Sequence, residues 1–185
     1  MEFKEVPLTF TDNEIYFDNN SKYEVMMDWE DNLMSASAAY ACSKGGDILE
    51  VGFGMGISAT YIQQHDIQSH TICEIHPVIV KKALEWAKDK PNVNIVEGDW
   101  YTNKDNLGQF DGLFFDTYND PNLMHFSSSL TQLVKKGGVA TWWNAREKDA
   151  NSYRIPNVEY QKFEVNPPEN SYFNHKFYHL PKWQY

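Results

Sequence analysis

Between Asp47 and Ser58 the chain reads Asp-Ile-Leu-Glu-Val-Gly-Phe-Gly-Met-Gly-Ile-Ser, an apolar run that breaks into glycine at every second position. Ile48, Leu49 and Val51 make the run a buried strand. Gly52, Gly54 and Gly56 make its exit a turn that tolerates positive φ and lets a ligand come close to the backbone. The helix that follows has unsatisfied N–H groups in its first turn, and they point into the crevice beyond the strand. Eighteen residues after Gly56, Glu74 ends a second apolar stretch, Thr71-Ile72-Cys73. Strand, glycine turn, helix, strand and acid describe a βαβ unit with a nucleotide-type site, the acid placed to hold ribose hydroxyls. The glycines alone also fit an ordinary tight turn before a helix. Their place in the unit is what argues for a ligand.

The turn itself narrows the choice of ligand. A dinucleotide fingerprint is G-x-G-x-x-G, whereas here the spacing is G-x-G-x-G and Glu50 precedes it. A carboxylate just before the turn disfavours a pyrophosphate and favours a cationic or amino-bearing ligand. S-adenosylmethionine has an adenosine, no phosphate, a sulfonium and an amino acid tail, and it meets that requirement.

Other features of the chain agree. Its 185 residues suit one domain with a full core. We expect a single unit over 1–185: an N-terminal lid segment and helix (1–45), core βα units (46–143), and a shortened linker with a C-terminal hairpin (144–185). The formal charge of −10 argues against a nucleic-acid partner, which needs a basic face, and is compatible with a cationic substrate. Cys42 and Cys73 do not make a disulfide framework. The N-terminus has no apolar signal region, and no run approaches membrane-spanning length, so the expectation is a soluble cytoplasmic protein without a membrane partner.

Hydrophobic periodicity predicts the remaining elements. Trp29, Leu33, Ala36 and Tyr40 fall at helical spacing before Gly45-Gly46. Strands are expected at 47–51, 70–75, 93–96, 111–115 and 139–143. Helices are expected near 57–65, after Pro77 as far as Pro91, and over about 122–134, the last stopped by Gly137-Gly138. Val158–Val165 and Tyr172–Leu180 flank Pro167-Pro168-Glu169-Asn170 and read as an antiparallel hairpin at a sheet edge.

Ligands of open α/β sheets bind beyond the carboxyl ends of the strands. Asp99-Trp100 and Asp116-Thr117-Tyr118 follow two of those ends and face one crevice. Trp100 can pack on adenine and Asp99 can accept from its amino group; the alternative is a core lid and a loop acid. Met26, Glu30 and Met34 recur every four residues and share a stripe of the N-terminal helix, adjacent to its Trp29/Leu33 face. Core packing and a helix-terminus charge explain that stripe equally well. His175 and His179 share a face of the expected last strand, but nothing supplies a third ligand, and we expect no metal.

Several segments together resemble guanidinoacetate N-methyltransferase and its arginine-methylating relatives. They are Val25-Met26-Met27-Asp28-Trp29-Glu30, Ser43-Lys44-Gly45-Gly46, Leu49-Glu50-Val51-Gly52-Phe53-Gly54-Met55, Phe110-Asp111-Gly112 and Asp116-Thr117-Tyr118. Glu85-Trp86-Ala87, Lys136-Gly137-Gly138-Val139 and the Pro167-Pro168 turn extend the resemblance from about residue 22 to the end. It implies a class I methyltransferase fold: a Rossmann-like three-layer α/β sandwich whose mostly parallel seven-stranded sheet ends in an antiparallel C-terminal hairpin. It also implies that Glu30 and Asp116 jointly hold a guanidinium. Gly52, Phe53, Gly54, Met55, Gly56, Ile57 and Ser58 would wrap the tail of S-adenosylmethionine, and Glu74 would hold its ribose. Ile75, Asp99 and Trp100 would border the adenine, Met26 and Met34 would close over the cofactor, and Tyr118 would line the acceptor pocket.

Two carboxylates make chemical sense. A guanidinium stays protonated far above neutral pH and its lone pairs are delocalised, so it is a poor nucleophile. Flanking acids fix its plane by bidentate bonds and keep charge on the nitrogens that do not attack. Asp116 is then placed to take the proton as the new bond forms. After the 139–143 strand the chain departs from the family: Asn144-Ala145-Arg146-Glu147-Lys148 stands where small hydroxyl residues bind an acceptor carboxylate, and the next helix is compressed into roughly 149–157. Arg146 can pair with a carboxylate, or the shortened region can admit a larger guanidine such as a peptide arginine, or Arg146 is surface charge only. Phe10, Tyr16 or Phe17 can form a lid, although the first 20 residues match nothing. A methyltransferase with a hydroxyl or amine acceptor, or a non-catalytic regulator binding the cofactor, are the competing readings.

Overall fold

A computed structural model describes residues 3–18, 23–146 and 153–185. After a 3-10 turn at Phe3–Glu5, β1 (Leu8–Phe10), β2 (Glu14–Phe17) and β3 (Glu24–Met27) form a three-stranded antiparallel sheet in the order β1-β2-β3. No periodic pattern in the sequence announces this sheet. Its strands are three or four residues long, too short for a period-2 pattern to stand out. A second 3-10 turn, Asp28–Glu30, leads into α1 (Asp31–Ala41). The expected Met26/Glu30/Met34 stripe on one helix is therefore corrected. Met26 belongs to β3, Glu30 closes the 3-10 turn, and only Met34 is on α1. Four-residue spacing brought these side chains to one region through a strand and a turn rather than along one helix.

The core then alternates as expected. β4 (Asp47–Val51), α2 (Ile57–Ile62), β5 (Ser69–Glu74), α3 (Pro77–Ala87) and β6 (Val93–Glu97) lie close to the ranges read from the sequence. Helix α4 (Trp100–Leu107) was not anticipated, because Trp-Tyr-Thr-Asn-Lys-Asp-Asn-Leu has no apolar stripe. What starts it is its cap: Asp99 Oδ1 accepts from the N–H groups of Tyr101 (2.6 Å) and Thr102 (3.3 Å). β7 (Phe110–Phe115) is followed by a 3-10 turn (Leu123–His125) and α5 (Phe126–Leu133). Strand β8 (Val134–Trp142) begins at once, so Gly137-Gly138 sit inside it rather than stopping the helix; the register shifts there, between Phe110 and Gly112 on the paired strand.

β9 (Glu159–Glu164) and β10 (Phe177–Gln184) form the closing antiparallel hairpin. The last strand starts five residues later than expected, which removes His175 from it. Asn170 is the reason. Its side chain accepts from the N–H of Tyr172 (3.0 Å) and Phe173 (2.7 Å) and donates to the carbonyls of Pro168 (2.8 Å) and Phe173 (2.9 Å), holding the connection in a coil. Of the compressed helix expected near 149–157, residues 149–152 lie outside the described part, and 153–157 are turn and coil.

The main sheet has seven strands in the order β6-β5-β4-β7-β8-β10-β9. β4 to β8 run parallel, and β10 is antiparallel to both β8 and β9. Alternation along β7 shows how it becomes the middle of a sandwich. Leu113 and Phe115 face one layer with Phe126, Leu130 and Trp142, whereas Phe114 faces the other with Leu33, Met34 and Tyr178. Strand order reverses between β4 and β7, where a ligand crevice opens beyond the carboxyl ends. Among the described residues no helix is long and apolar enough to cross a membrane.

Candidate active site

One cavity of about 1550 Å³ opens over those strand ends. Single ligands occupy pockets of roughly 300–1,000 Å³, so this one has room for two. Met26, Glu30, Gly52, Phe53, Gly54, Ser58, Glu74, Ile75, Asp99, Trp100, Asp116, Tyr118 and Arg146 all line it. Met34, Met55, Gly56 and Ile57 do not; Met34 is fully buried behind Met26 in the apolar layer under α1.

The β4 exit is built for close approach. A Cβ on Gly52, whose φ is +90°, would stand 1.9 Å from the Asp116 carbonyl oxygen; one on Gly54, at φ +53°, would meet the Met26 sulfur at 2.6 Å. Glycine is thus required both to let the β4 and β7 loops touch and to seat Met26 above the turn. Met26 Sδ also accepts from the Met55 N–H at 3.3 Å. Glu74, at the end of β5, is 4% exposed. Its oxygens accept from Phe53 N–H (2.8 Å) and His76 N–H (2.7 Å), and burial nevertheless raises its pKa. The Ile75 N–H also favours its ionised form, and a carboxylate with about four lone-pair sites keeps room for a hydroxyl donor.

Glu50 has a different place from the one its sequence position implies. It is fully buried, accepts from the Ser58 hydroxyl, and binds His70 Nε2 at 2.9 Å. It does not line the cavity, so the argument that it faces a cationic ligand is corrected. Strand alternation is the cause: Leu49 and Val51 share one layer, and Glu50 points into the other, where His70 meets it.

The floor beyond β6 is cross-linked to the loop after β7. Asp99 caps α4 and accepts from Asn122 Nδ2 at 2.5 Å, and the Trp100 indole N–H donates to Asp120 Oδ2 at 2.7 Å. Trp100 is 3% exposed and packs edge-on against Phe115. The sequence reading missed the Asp120–Asn122 brace, because loop side chains carry no periodic signal.

The N-terminal segment covers one side. Phe3 and Phe17 each pack 5.5 Å from the Tyr118 ring. His76 Nδ1 accepts from the Val78 N–H at 3.3 Å, which leaves Nε2–H to donate to the Val6 carbonyl at 2.9 Å. Phe10 and Phe17 both join this cluster.

Two carboxylates, Glu30 and Asp116, dominate another part of the cavity wall. Glu30 is 3% exposed, and its Oε1 accepts from the Met27 N–H at 3.1 Å and the Tyr172 hydroxyl at 2.5 Å. Burial, and then the charge of Asp116, push its pKa up to about 8. Asp116 is pushed up to about 7, by burial and then by Glu50. Among the described residues, no cation is near enough to either acid to make its ionisation easy. Thr117 Oγ1, beside Asp116, is buried with no hydrogen-bond partner among the described residues. Arg146 and Arg154 stand exposed at the mouth, Arg154 with φ +52°, and Tyr153 lines the wall between them and Asp116. Glu147 and Lys148 lie outside the described residues. Tyr172, Tyr153 and Arg154 carried no signal in the sequence; only the folded connection brings them to the cavity. Among the described residues no group of three or more His, Cys, Asp or Glu is arranged to hold a metal ion.

Comparison with known proteins gives a consistent picture. The family model described as guanidinoacetate N-methyltransferase matches residues 2–148. Protein arginine N-methyltransferase 2 of Yarrowia lipolytica is 32% identical over 195 residues, covering 90% of this chain and 41% of that protein. Its namesake in Candida glabrata is 31% identical over 210 residues, covering 95% of this chain and 50% of that protein. The chain thus spans half or less of the length of these relatives. Among solved structures, the N-methyltransferase NodS from Bradyrhizobium japonicum, in complex with S-adenosyl-L-homocysteine, superposes with a TM-score of 0.64 at 11% identity, over 84% of this chain and 87% of that one. At that identity the likeness concerns the fold.

Proposed function

Because the chain belongs to the guanidinoacetate N-methyltransferase family, we propose that it transfers a methyl group from S-adenosylmethionine to a guanidino nitrogen of a small molecule or an arginyl group. The observation that carries this reading is the pair of enclosed acids, Glu30 and Asp116, lining one cavity with pKa values raised to about 8 and about 7. A bound guanidinium reverses that penalty, because it supplies a delocalised cation and forked N–H donors to both carboxylates.

The residues fit the cofactor. The Gly52–Gly54 turn provides open backbone, Glu74 has lone pairs for ribose hydroxyls, and the acidic lining suits a cationic donor. S-adenosylmethionine, when bound, supplies an electrophilic methyl on sulfur. Phe53, Gly54 and Ser58 are assigned to its tail and Ile75, Asp99 and Trp100 to its adenine, with Met26 closing that half and Met34 packed in the layer that holds Met26. Glu30 and Asp116 fix the plane of the guanidinium so that one nitrogen faces the methyl in line. With that methyl supplied, Asp116 would take the proton that the attacking nitrogen sheds. Tyr118 lines the acceptor side, and Arg146 is assigned to an anionic group on the acceptor. We take residues 1–185 as one catalytic unit, and the two free, buried cysteines accord with the reducing cytoplasm.

The test is incubation with S-adenosylmethionine and guanidinoacetate, arginine, agmatine and arginyl peptides, read by mass spectrometry. One of these is expected to gain a methyl group. Donor binding without methylation of any guanidine would overturn the reading in favour of a hydroxyl or amine acceptor, or of a regulator.

A further inference from the structure

Among the hydrogen bonds described, the hydroxyl of Tyr172 is the one side-chain donor to Glu30, at 2.5 Å from Oε1. The same oxygen lies 3.2 Å from the indole nitrogen of Trp29. An indole N–H only donates. The phenol oxygen therefore accepts from Trp29, and its own proton is turned toward Glu30. The direction of the relay Trp29 to Tyr172 to Glu30 is fixed by the one member that has no choice. Its geometry is braced as well. The Trp29 and Tyr172 rings lie nearly parallel at 6.3 Å, Trp143 meets Tyr172 edge-on at 6.2 Å, and Asn170 binds the Tyr172 N–H.

We propose that Tyr172, oriented by Trp29, is a positioning residue that pins one oxygen of Glu30 in its acceptor role and leaves the other oxygen to the guanidinium. The proposal rests on the reading of Glu30 and Asp116 as the guanidinium clamp. Oε1 already accepts from Met27 N–H and Tyr172, so both of its in-plane lone pairs are used, and Oε2 is the oxygen available to a ligand. A donor fixed on Oε1 also favours the ionised carboxylate against the repulsion it meets. The titratable groups that face Glu30 are Asp116 from the loop after β7, Tyr178 from β10, and Tyr172 itself. Asp116 opposes ionisation of Glu30, and Tyr172 is the side chain that favours it.

The experiment compares kcat/KM against pH for wild type, Tyr172→Phe and Trp29→Phe, using whichever guanidine the wild type methylates. Tyr172→Phe is expected to move the acid limb upward by about one unit, with a roughly tenfold loss near pH 7 that alkaline pH largely restores. Trp29→Phe is expected to move it in the same direction by less, since the hydroxyl remains but loses its fixed orientation. If Tyr172→Phe does not fold, the Trp29→Phe profile decides. Variants whose profiles superpose on wild type after scaling overturn the proposal and leave the clamp intact. A wild type that methylates no guanidine overturns the clamp and the proposal together.

Discussion

Glu30 and Asp116 cost the empty protein stability. Their folded pKa values, about 8 and about 7, lie above the ordinary carboxylate range. Between roughly pH 4 and pH 8 the folded chain therefore holds more protons than the unfolded one, and stability falls as pH rises through that window. The expected consequence is that Glu30→Gln and Asp116→Asn each stabilise the ligand-free protein by roughly 1–3 kcal/mol at pH 8, and hardly at all at pH 4. Urea denaturation at the two pH values measures this, and equal effects at both would contradict it. In turnover the same substitutions cut kcat/KM for a guanidine by about a hundredfold or more, Asp116→Asn mainly through kcat, because it removes the base. These two acids were legible in the sequence only with the family resemblance beside them. Spacing put Glu30 on a helix stripe, where a packing role explained it as well, and a single strand-end Asp116 does not announce a partner more than eighty positions away.

Among elements, β4 to β7 and the second half of β8 could be read from sequence because each is a short apolar run punctuated by glycine, proline or an acid. The N-terminal sheet and α4 could not. β1, β2 and β3 alternate over only three or four residues, and α4 starts from the Asp99 cap rather than from an apolar face. Glu50 shows the same limit at finer grain: strand alternation directs it to His70, a fact that depends on which layer Leu49 and Val51 choose. Where the β4 and β7 loops touch, Gly52→Ala is expected to lose about 3 kcal/mol or more, combining a positive φ with contact to the Asp116 carbonyl. It should also weaken donor binding, because Asp116 and the turn must separate. Thermal unfolding and donor titration check the two effects. Phe114→Ala, in the layer beneath α1, should cost about 3–5 kcal/mol while leaving the pH profile of kcat/KM unchanged.

For the molecule as a whole, the acid limb of kcat/KM is expected between about pH 7 and pH 8, since both carboxylates must be ionised to hold a guanidinium. Guanidine binding near pH 7 should accordingly release protons, seen as a binding enthalpy that depends on the ionisation enthalpy of the buffer. Buffer-independent heats would argue that the acids are already ionised. A larger consequence follows from the segment that joins β3 to α1. Met26 rests on the Gly54 turn and Glu30 closes the acceptor pocket, and only three residues separate them on one continuous, hydrogen-bonded stretch. On the proposed reading, donor and acceptor would grip opposite ends of the same short lever. Thermodynamic reciprocity then requires that whatever one ligand does to the other's affinity is returned by the same factor. Equilibrium dialysis of the demethylated donor, with and without a guanidine, is expected to reveal tighter binding of each in the presence of the other.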